Sequence, residues 1–376
     1  MLLSNYYQLA WREWDLNTGG QVRERGGNRL IDYDYTRRYA FSTRCPTTPD
    51  PPQVLILITF VYIMKAGIFL PQSGDSATRD NVLYIAKEAE REGFTSVWVM
   101  ERLLWPVKPQ SPYPGTPDGS LPVEYQNVLD PLETLTYLAG NTNQISLGTC
   151  IIDMLFHNPL VLARRFATLD ILSQGRAIAG LGIGWSKDEY EASGIPYKYR
   201  GERANEYLQV LKRIWTDEVV EFKGHFYSIP ASKIGPKPVQ KPHPPILLGG
   251  FSPKTFLRIV NYADGWISVA GFGPLKQLEQ AINGLREGAR KADKDPSKIR
   301  VVMLTYPNVL DSSSSNSSSE RQRLPMTGTT DQIGTDIDQI KAMGVEHIIF
   351  GYFLSPIGKD MKKMIEITKQ LAKFAK

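Results

Sequence analysis

Residues 145–190 read ISLGTCIIDMLFHNPLVLARRFATLDILSQGRAIAGLGIGWSKDEY, and the fold is decided in this stretch. Ile145 to Ile152 is a short apolar run rich in β-branched residues, the pattern of a strand buried on both faces. Leu160, Leu162, Ala163, Phe166, Leu169 and Ile171 then recur at near-helical spacing, with Pro159 suited to a first turn and Gly175 to a C-terminal stop. Ala177 to Leu181 is a second strand. Strand, helix and strand make a βαβ unit, which demands parallel pairing and a right-handed crossover. Gly182 and Gly184 follow at the carboxyl end of the second strand, the side of an α/β sheet where ligands bind. Taken alone, the Gly-x-Gly is equally a tight turn.

Outward from this unit the same alternation continues from Met64 to the C-terminus. Lys65–Leu70 is strand one, with a helix over 79–92; Thr95–Met100 is strand two, with a helix over 131–139. The unit above supplies strands three and four, and a helix over 201–215 follows with Tyr207, Val210, Leu211 and Ile214 on one side. Val219–Phe222 and Phe226–Ile229, split by Lys223-Gly224-His225, read as a small hairpin insertion after that helix. Ile246–Leu248, Trp266–Val269, Arg300–Thr305 and His347–Phe350 complete eight strands. Eight such units predict a (β/α)8 barrel; an open doubly wound sheet competes, but rarely needs eight regular repeats.

Composition sets outer limits. The chain has 376 residues, is 42% hydrophobic and 22% charged, and carries a net charge of +5, small for its length. No Lys/Arg stripe interleaved with aromatics points to nucleic acid. Two cysteines, Cys45 and Cys150, cannot build a disulfide framework, and no C-x-x-C or H-E-x-x-H offers a metal site. These features predict a cytoplasmic, metal-free protein.

The first 63 residues differ from the rest. They hold seven Arg and no Lys, and lack periodicity until Val54–Ile63, a run shorter than the ~20 apolar residues a membrane helix needs. An apolar segment preceded by so many polar residues is no ordinary signal peptide. The expectation is therefore a non-domain extension over 1–63, with the true start at Met64. Two loops on the carboxyl rim stand out. Residues 311–323 contain DSSSSNSSS, which cannot bury apolar surface and reads as slack. The Pro/Gly-rich loop over 106–122 reads as a pocket wall.

The segments GIFLPQSG, SVWVMERLLWP, the 145–185 stretch and PPILLGGFSPKTFLRIVNYADGWI, in that order, resemble the luciferase-like monooxygenase superfamily, and most of all its branch using the deazaflavin coenzyme F420. The likeness runs from about Met64 to the C-terminus. It implies a (β/α)8 barrel with the coenzyme across the carboxyl ends of the strands, in a homodimer. Many FMN-using relatives read Asn-Val-Val-Thr after strand four, where this chain has Gly182-Ile183-Gly184-Trp185; F420 is therefore the expected cofactor and FMN the alternative.

The resemblance also assigns residues. Gly249-Gly250-Phe251-Ser252 resembles the family's phosphate-binding turn, and glycines ahead of a helix starting near Pro253 suit an anion physically. Thr149-Cys150-Ile151 matches the position of a strand-three bulge, often with a non-prolyl cis peptide, against the deazaflavin ring. Cys150 alone reads as a small buried hydrophobe. Related sugar-phosphate and alcohol dehydrogenases place Asp-His after strand two, where this chain has Glu101-Arg102 with Trp105 close behind. Sugar-phosphate enzymes also place a Glu where Trp185 stands. Glu101 and Trp105 are thus the candidate catalytic residues, and Arg102 a candidate anion binder; an ordinary rim ion pair is the plainer reading of Glu101-Arg102. His157 faces the pocket or precedes a cap at Asn158. His225 and His243 read as surface residues, and Glu189, Arg200 and Arg203 as solvated charges near a coenzyme tail. The implied activity is hydride transfer between C5 of F420 and an organic substrate. A flavin-dependent monooxygenase and a non-catalytic deazaflavin-binding barrel are the alternatives.

Overall fold

A strand buried on both faces must be largely apolar, and the eight main strands of the protein are, with single polar residues such as Ser96 and His347 among them. The computed structural model describes residues 63–116, 118–271, 273–310 and 323–376; all of the 1–63 extension but Ile63, and all of the serine loop but Arg323, lie outside these residues. The strands are β1 Lys65–Phe69, β2 Ser96–Val99, β3 Ser146–Thr149, β4 Ala177–Gly182, β5 Ile246–Gly249, β6 Gly265–Ala270, β7 Arg300–Thr305 and β8 His347–Phe350. Each pairs in parallel with the next, and β8 pairs with β1 through Ile68↔Phe350, which closes the barrel. The expected (β/α)8 architecture is therefore present.

Period-two alternation sorts the side chains. Phe69, Trp98, Ile178, Leu247, Ile267, Val302, Leu304 and Ile349 pack together inside the barrel. Their neighbours, such as Ile68, Val97, Ile246 and Ile348, pack outward under the helices. The helices are α1 Arg79–Arg91, α2 Pro131–Ala139, α3 Pro159–Leu172, α4 Arg200–Thr216, α5 Pro253–Tyr262, α6 Leu275–Lys291, α7 Thr330–Ala342 and α8 Met361–Ala372. Their starts are chemically marked. Asn158 caps α3 by accepting from the Leu160 amide at 2.9 Å, and Thr329 and Gln332 form a reciprocal capping box on α7. The hairpin insertion follows α4 as Val220–Lys223 against Ser228–Ser232, and the Glu206 carboxylate accepts from the turn amides of His225, Phe226 and Tyr227.

Three readings need correction. The predicted strand over 145–152 is broken: β3 stops at Thr149, the Cys150–Ile151 peptide is cis, and pairing resumes only as Ile152↔Leu181 and Asp153↔Gly182. His243 is buried rather than superficial; its ring lies over Trp215, and Nδ1 is 3.0 Å from the Pro244 carbonyl. Glu189 is also buried, for a reason that belongs to the site.

Candidate active site

The break after β3 organises the carboxyl end of the barrel. The Cys150 amide donates to the Val99 carbonyl at 2.6 Å, and the Glu101 amide to the Ile151 carbonyl at 3.0 Å, so the kinked segment is stitched to the end of β2. The Glu101 carboxylate then binds two groups from beyond the kink: the Asp153 amide at 2.9 Å through Oε2, and His157 Nε2 at 2.7 Å through Oε1. Burial pushes the Cys150 thiol up to about 12, so it stays protonated and acts as a wall.

Arg102 turns the other way. Its Nε donates to Glu189 Oε1 at 2.8 Å, Nη2 also reaches Glu189, and the Leu103 amide adds 2.9 Å to Oε1. The side chains of Arg102 and Glu189 are 6% and 1% exposed, which makes this a buried ion pair. The guanidinium stacks over Trp185 at 5.2 Å, and Asp153 Oδ2 lies 3.9 Å away. A rim pair between Glu101 and Arg102 is therefore overturned, since each has its own buried partner. Arg102 is committed internally, and the solvated reading of Glu189 fails because an isolated buried guanidinium requires a counter-charge.

The remaining predicted residues ring this cluster. Ile151 projects across β4 and β5: a Cβ added at Gly182 would collide with its Cδ1 and meet Asp153 Oδ1 at 2.9 Å, while Gly249 sits opposite its Cγ2. The glycines thus make room for the kink. Gly250 has φ of +117°, its carbonyl accepts from Trp266 Nε1 at 2.8 Å, and Phe251 packs on Trp266. Ser252 caps α5 by accepting from the Thr255 amide at 3.1 Å, which leaves that helix's positive end at the rim. The Thr149 hydroxyl is engaged with the Gly180 backbone as both donor and acceptor, so it braces β3 on β4.

A roof comes from the 106–122 loop. Tyr113 contacts Trp185 and Tyr125, and Gln110 binds Asp188 and Glu191. Trp105, like Cys150, Ile151 and Tyr113, packs against the barrel's inner cluster, and its indole N–H is buried without a partner among the described residues. The Asp153 Oδ1 and Tyr207 Oη atoms share that condition.

The sequence profile described as luciferase-like monooxygenase matches residues 59–342. The chain belongs to the luciferase-like monooxygenase family. Within it, an uncharacterised protein of Mycobacterium tuberculosis is 40% identical over 185 residues, 49% of this chain; the match spans 65% of that relative's length. A protein of Amycolatopsis mediterranei named F420-dependent glucose-6-phosphate dehydrogenase is 29% identical over 235 residues, covering 61% of this chain and 65% of the relative. Among solved structures, an F420-dependent secondary alcohol dehydrogenase with an F420-acetone adduct superposes at TM-score 0.67 and 22% identity, over 84% of this chain and 99% of the other. The monooxygenase RslO1 of Streptomyces bottropensis superposes at TM-score 0.65 and 22% identity, over 82% and 98%. These superpositions establish the luciferase-like fold.

Asp153 and the Arg102–Glu189 pair escaped the reading of the sequence. One signal was available: Asp153 is a lone carboxyl inside an otherwise apolar strand run, and such a residue needs a reason to be buried.

Proposed function

We propose that this member of the luciferase-like monooxygenase family is an F420-dependent oxidoreductase moving a hydride between the deazaflavin C5 and an organic substrate. The observation that carries the reading is the kinked end of β3: the Cys150–Ile151 peptide is cis at the mouth of the barrel, and the Ile151 side chain is seated against Gly182 and Gly249. The F420-dependent relatives lend their support to the choice of cofactor over FMN.

A deazaflavin fits these residues. Cys150 and Ile151 would back the ring, with Gly182, Gly184 and Trp185 along its edge. The Gly249-Gly250-Phe251-Ser252 turn and the positive end of α5 would hold the phosphate. Thr149 acts one step back, by bracing Gly180. When bound, F420 supplies two-electron hydride chemistry, and no side-chain nucleophile is needed. The protein's share is then positioning, water exclusion and proton handling. Trp105 offers an unpaired indole N–H to the substrate, and Glu101, oriented by His157, fixes the ring-side loop. We further propose a cytoplasmic homodimer, a state that light scattering checks.

The test is a titration of the full chain with oxidised F420 and with FMN, side by side, followed by fluorescence. Selective F420 binding supports the reading. FMN preference moves the assignment to flavin-dependent monooxygenation, and binding without turnover of any alcohol or carbonyl substrate indicates a carrier barrel.

A further inference from the structure

We propose that Asp153 is the residue that carries the proton accompanying hydride transfer, and that the substrate it serves is an uncharged alcohol or carbonyl group. This inference rests on the F420 reading above.

The argument starts from charge. Asp153 and Glu189 converge on the Arg102 guanidinium, and Glu101, held by His157 and the Asp153 amide, adds a third carboxyl beside them. All five side chains are at least four-fifths buried. Buried charges of one sign require compensation, so a surplus carboxyl must take a proton. Glu189 holds both the Nε and Nη2 of Arg102, and Glu101 accepts from His157 and the Asp153 amide. Both therefore have close hydrogen-bond donors. Asp153 is the one left over, with Oδ2 at 3.9 Å from Arg102 and Oδ1 without a hydrogen-bond partner. Its surroundings agree: burial pushes the Asp153 carboxyl up to about 7, Arg102 and the Gly184 amide oppose this, and Glu101 and Glu189 reinforce it. The Tyr190 phenol, on the short helix Lys187–Ala192 after β4, is pushed up by burial and then by Asp153.

Position completes the case. Asp153 follows the cis peptide by two residues and pairs with Gly182, so Oδ1 lies against the glycine edge where the ring would sit. In the reducing direction, a hydride with its two electrons passes from the reduced deazaflavin C5 to the carbonyl carbon. The C–O π pair takes the proton of Asp153, and the carboxylate formed is compensated by Arg102. In the oxidising direction the alcohol O–H proton returns to Asp153 as the C–H pair leaves for C5. Because Arg102 is committed to Glu189, it is not free to bind a phosphate or carboxylate of the substrate.

Infrared spectroscopy of the cofactor-free full chain tests the proton directly. A carboxylic-acid band should titrate near pH 7 and vanish in Asp153→Asn, while Glu189→Gln, which releases Arg102 toward Asp153, should move the midpoint lower by a unit or more. With F420 and a simple secondary alcohol, Asp153→Asn should retain cofactor affinity, lose about 100-fold in kcat, and lose the pH–rate limb near 7. A band absent from the wild type, or a kcat within threefold in Asp153→Asn, overturns the inference even if F420 binds. Preference for a phosphorylated or carboxylated substrate overturns the substrate class. Failure of F420 to bind, with the band present, instead overturns the cofactor reading and the proton's role with it.

Discussion

At the amino-terminal end of the barrel, His347 lies with Nε2 2.7 Å from Ser96 Oγ, which in turn accepts from Trp98 Nε1 at 2.6 Å. At the carboxyl end, His157 lies 2.7 Å from a carboxylate, within a cluster of three carboxyls and an arginine. At the floor the Ser96 hydroxyl, Trp98 indole and His347 imidazole satisfy one another, and the charges beside them pair off as Lys65 and Arg300 on Glu346. The mouth is charged, and buried polar atoms there, on Trp105, Asp153 and Tyr207 among others, have no partners among the described residues. The difference separates stability from function: a closed polar chain specifies packing, whereas unpartnered buried atoms are costly unless something else completes them.

The largest effect should come from breaking the mouth's one committed ion pair. Arg102→Met leaves Glu189 buried without its counter-charge and should lose about 3–5 kcal/mol in urea unfolding. Arg102→Met combined with Glu189→Leu should recover most of this, because an apolar pair removes the stranded charge. If the single variant costs no more than the double one, the mouth cluster contributes no more specificity than the floor.

Acid titration sharpens the contrast, because the two ends should respond with opposite sign. Burial, with Lys65 adding to it, pushes His347 down to about 3. The unfolded chain then binds a proton near pH 6.5 that the native floor refuses, so this contribution is present above pH 6.5 and is lost as pH falls toward 3. Asp153, raised to about 7, works the other way: the unfolded carboxyl releases its proton near pH 4 while the native one keeps it, so stability drops as pH rises from 4 to 7. Each term is on the order of 4 kcal/mol. His347→Gln should steepen the fall in stability with rising pH between 4 and 6.5, and Asp153→Asn should steepen the rise. Matching curves for both variants would dissolve the distinction.

Much of the fold was legible because barrel strands announce themselves. Continuous apolar runs such as RVVMLT and HIIF, spaced by amphipathic helices, leave few architectures open. Asn158, Gly175 and Pro253 marked helix ends through local chemistry alone. The site was legible only where a motif is contiguous, as at Gly249-Gly250 and Cys150-Ile151. Glu189 pairs with Arg102 across 87 positions, and His157 with Glu101 across 56. Nothing in local composition distinguishes Glu189 from the solvated Asp188 beside it. Such partnerships arise from closure of the barrel, which brings the loops after β2, β3 and β4 together.

Packing offers a smaller test. A Cβ at Gly67 would press on Ser96, His347 and Trp98 together, and these rings and hydroxyls have nowhere to move. Gly67→Ala should lose about 2–3 kcal/mol by overpacking. Gly182→Ala meets the tip of Ile151, a flexible end, and should cost nearer 1 kcal/mol while lowering F420 affinity at least tenfold. Equal stability losses would mean that the mouth is packed as tightly as the floor.

The smallest stability effect belongs to Trp105, and it is the most informative about function. Trp105→Phe keeps an aromatic ring against the barrel's inner cluster and deletes the indole N–H. In a closed network such as Trp98's, losing that donor would strand an acceptor, and Trp98→Phe should cost about 1–2 kcal/mol. Trp105 has no acceptor to strand, so its removal should leave unfolding within about 0.5 kcal/mol of wild type. Any loss should surface in kcat with substrate bound, about tenfold for one hydrogen bond of roughly 1.4 kcal/mol. A stability loss in Trp105→Phe equal to that of Trp98→Phe would show that the indole already has a structural partner, and would assign the mouth to packing.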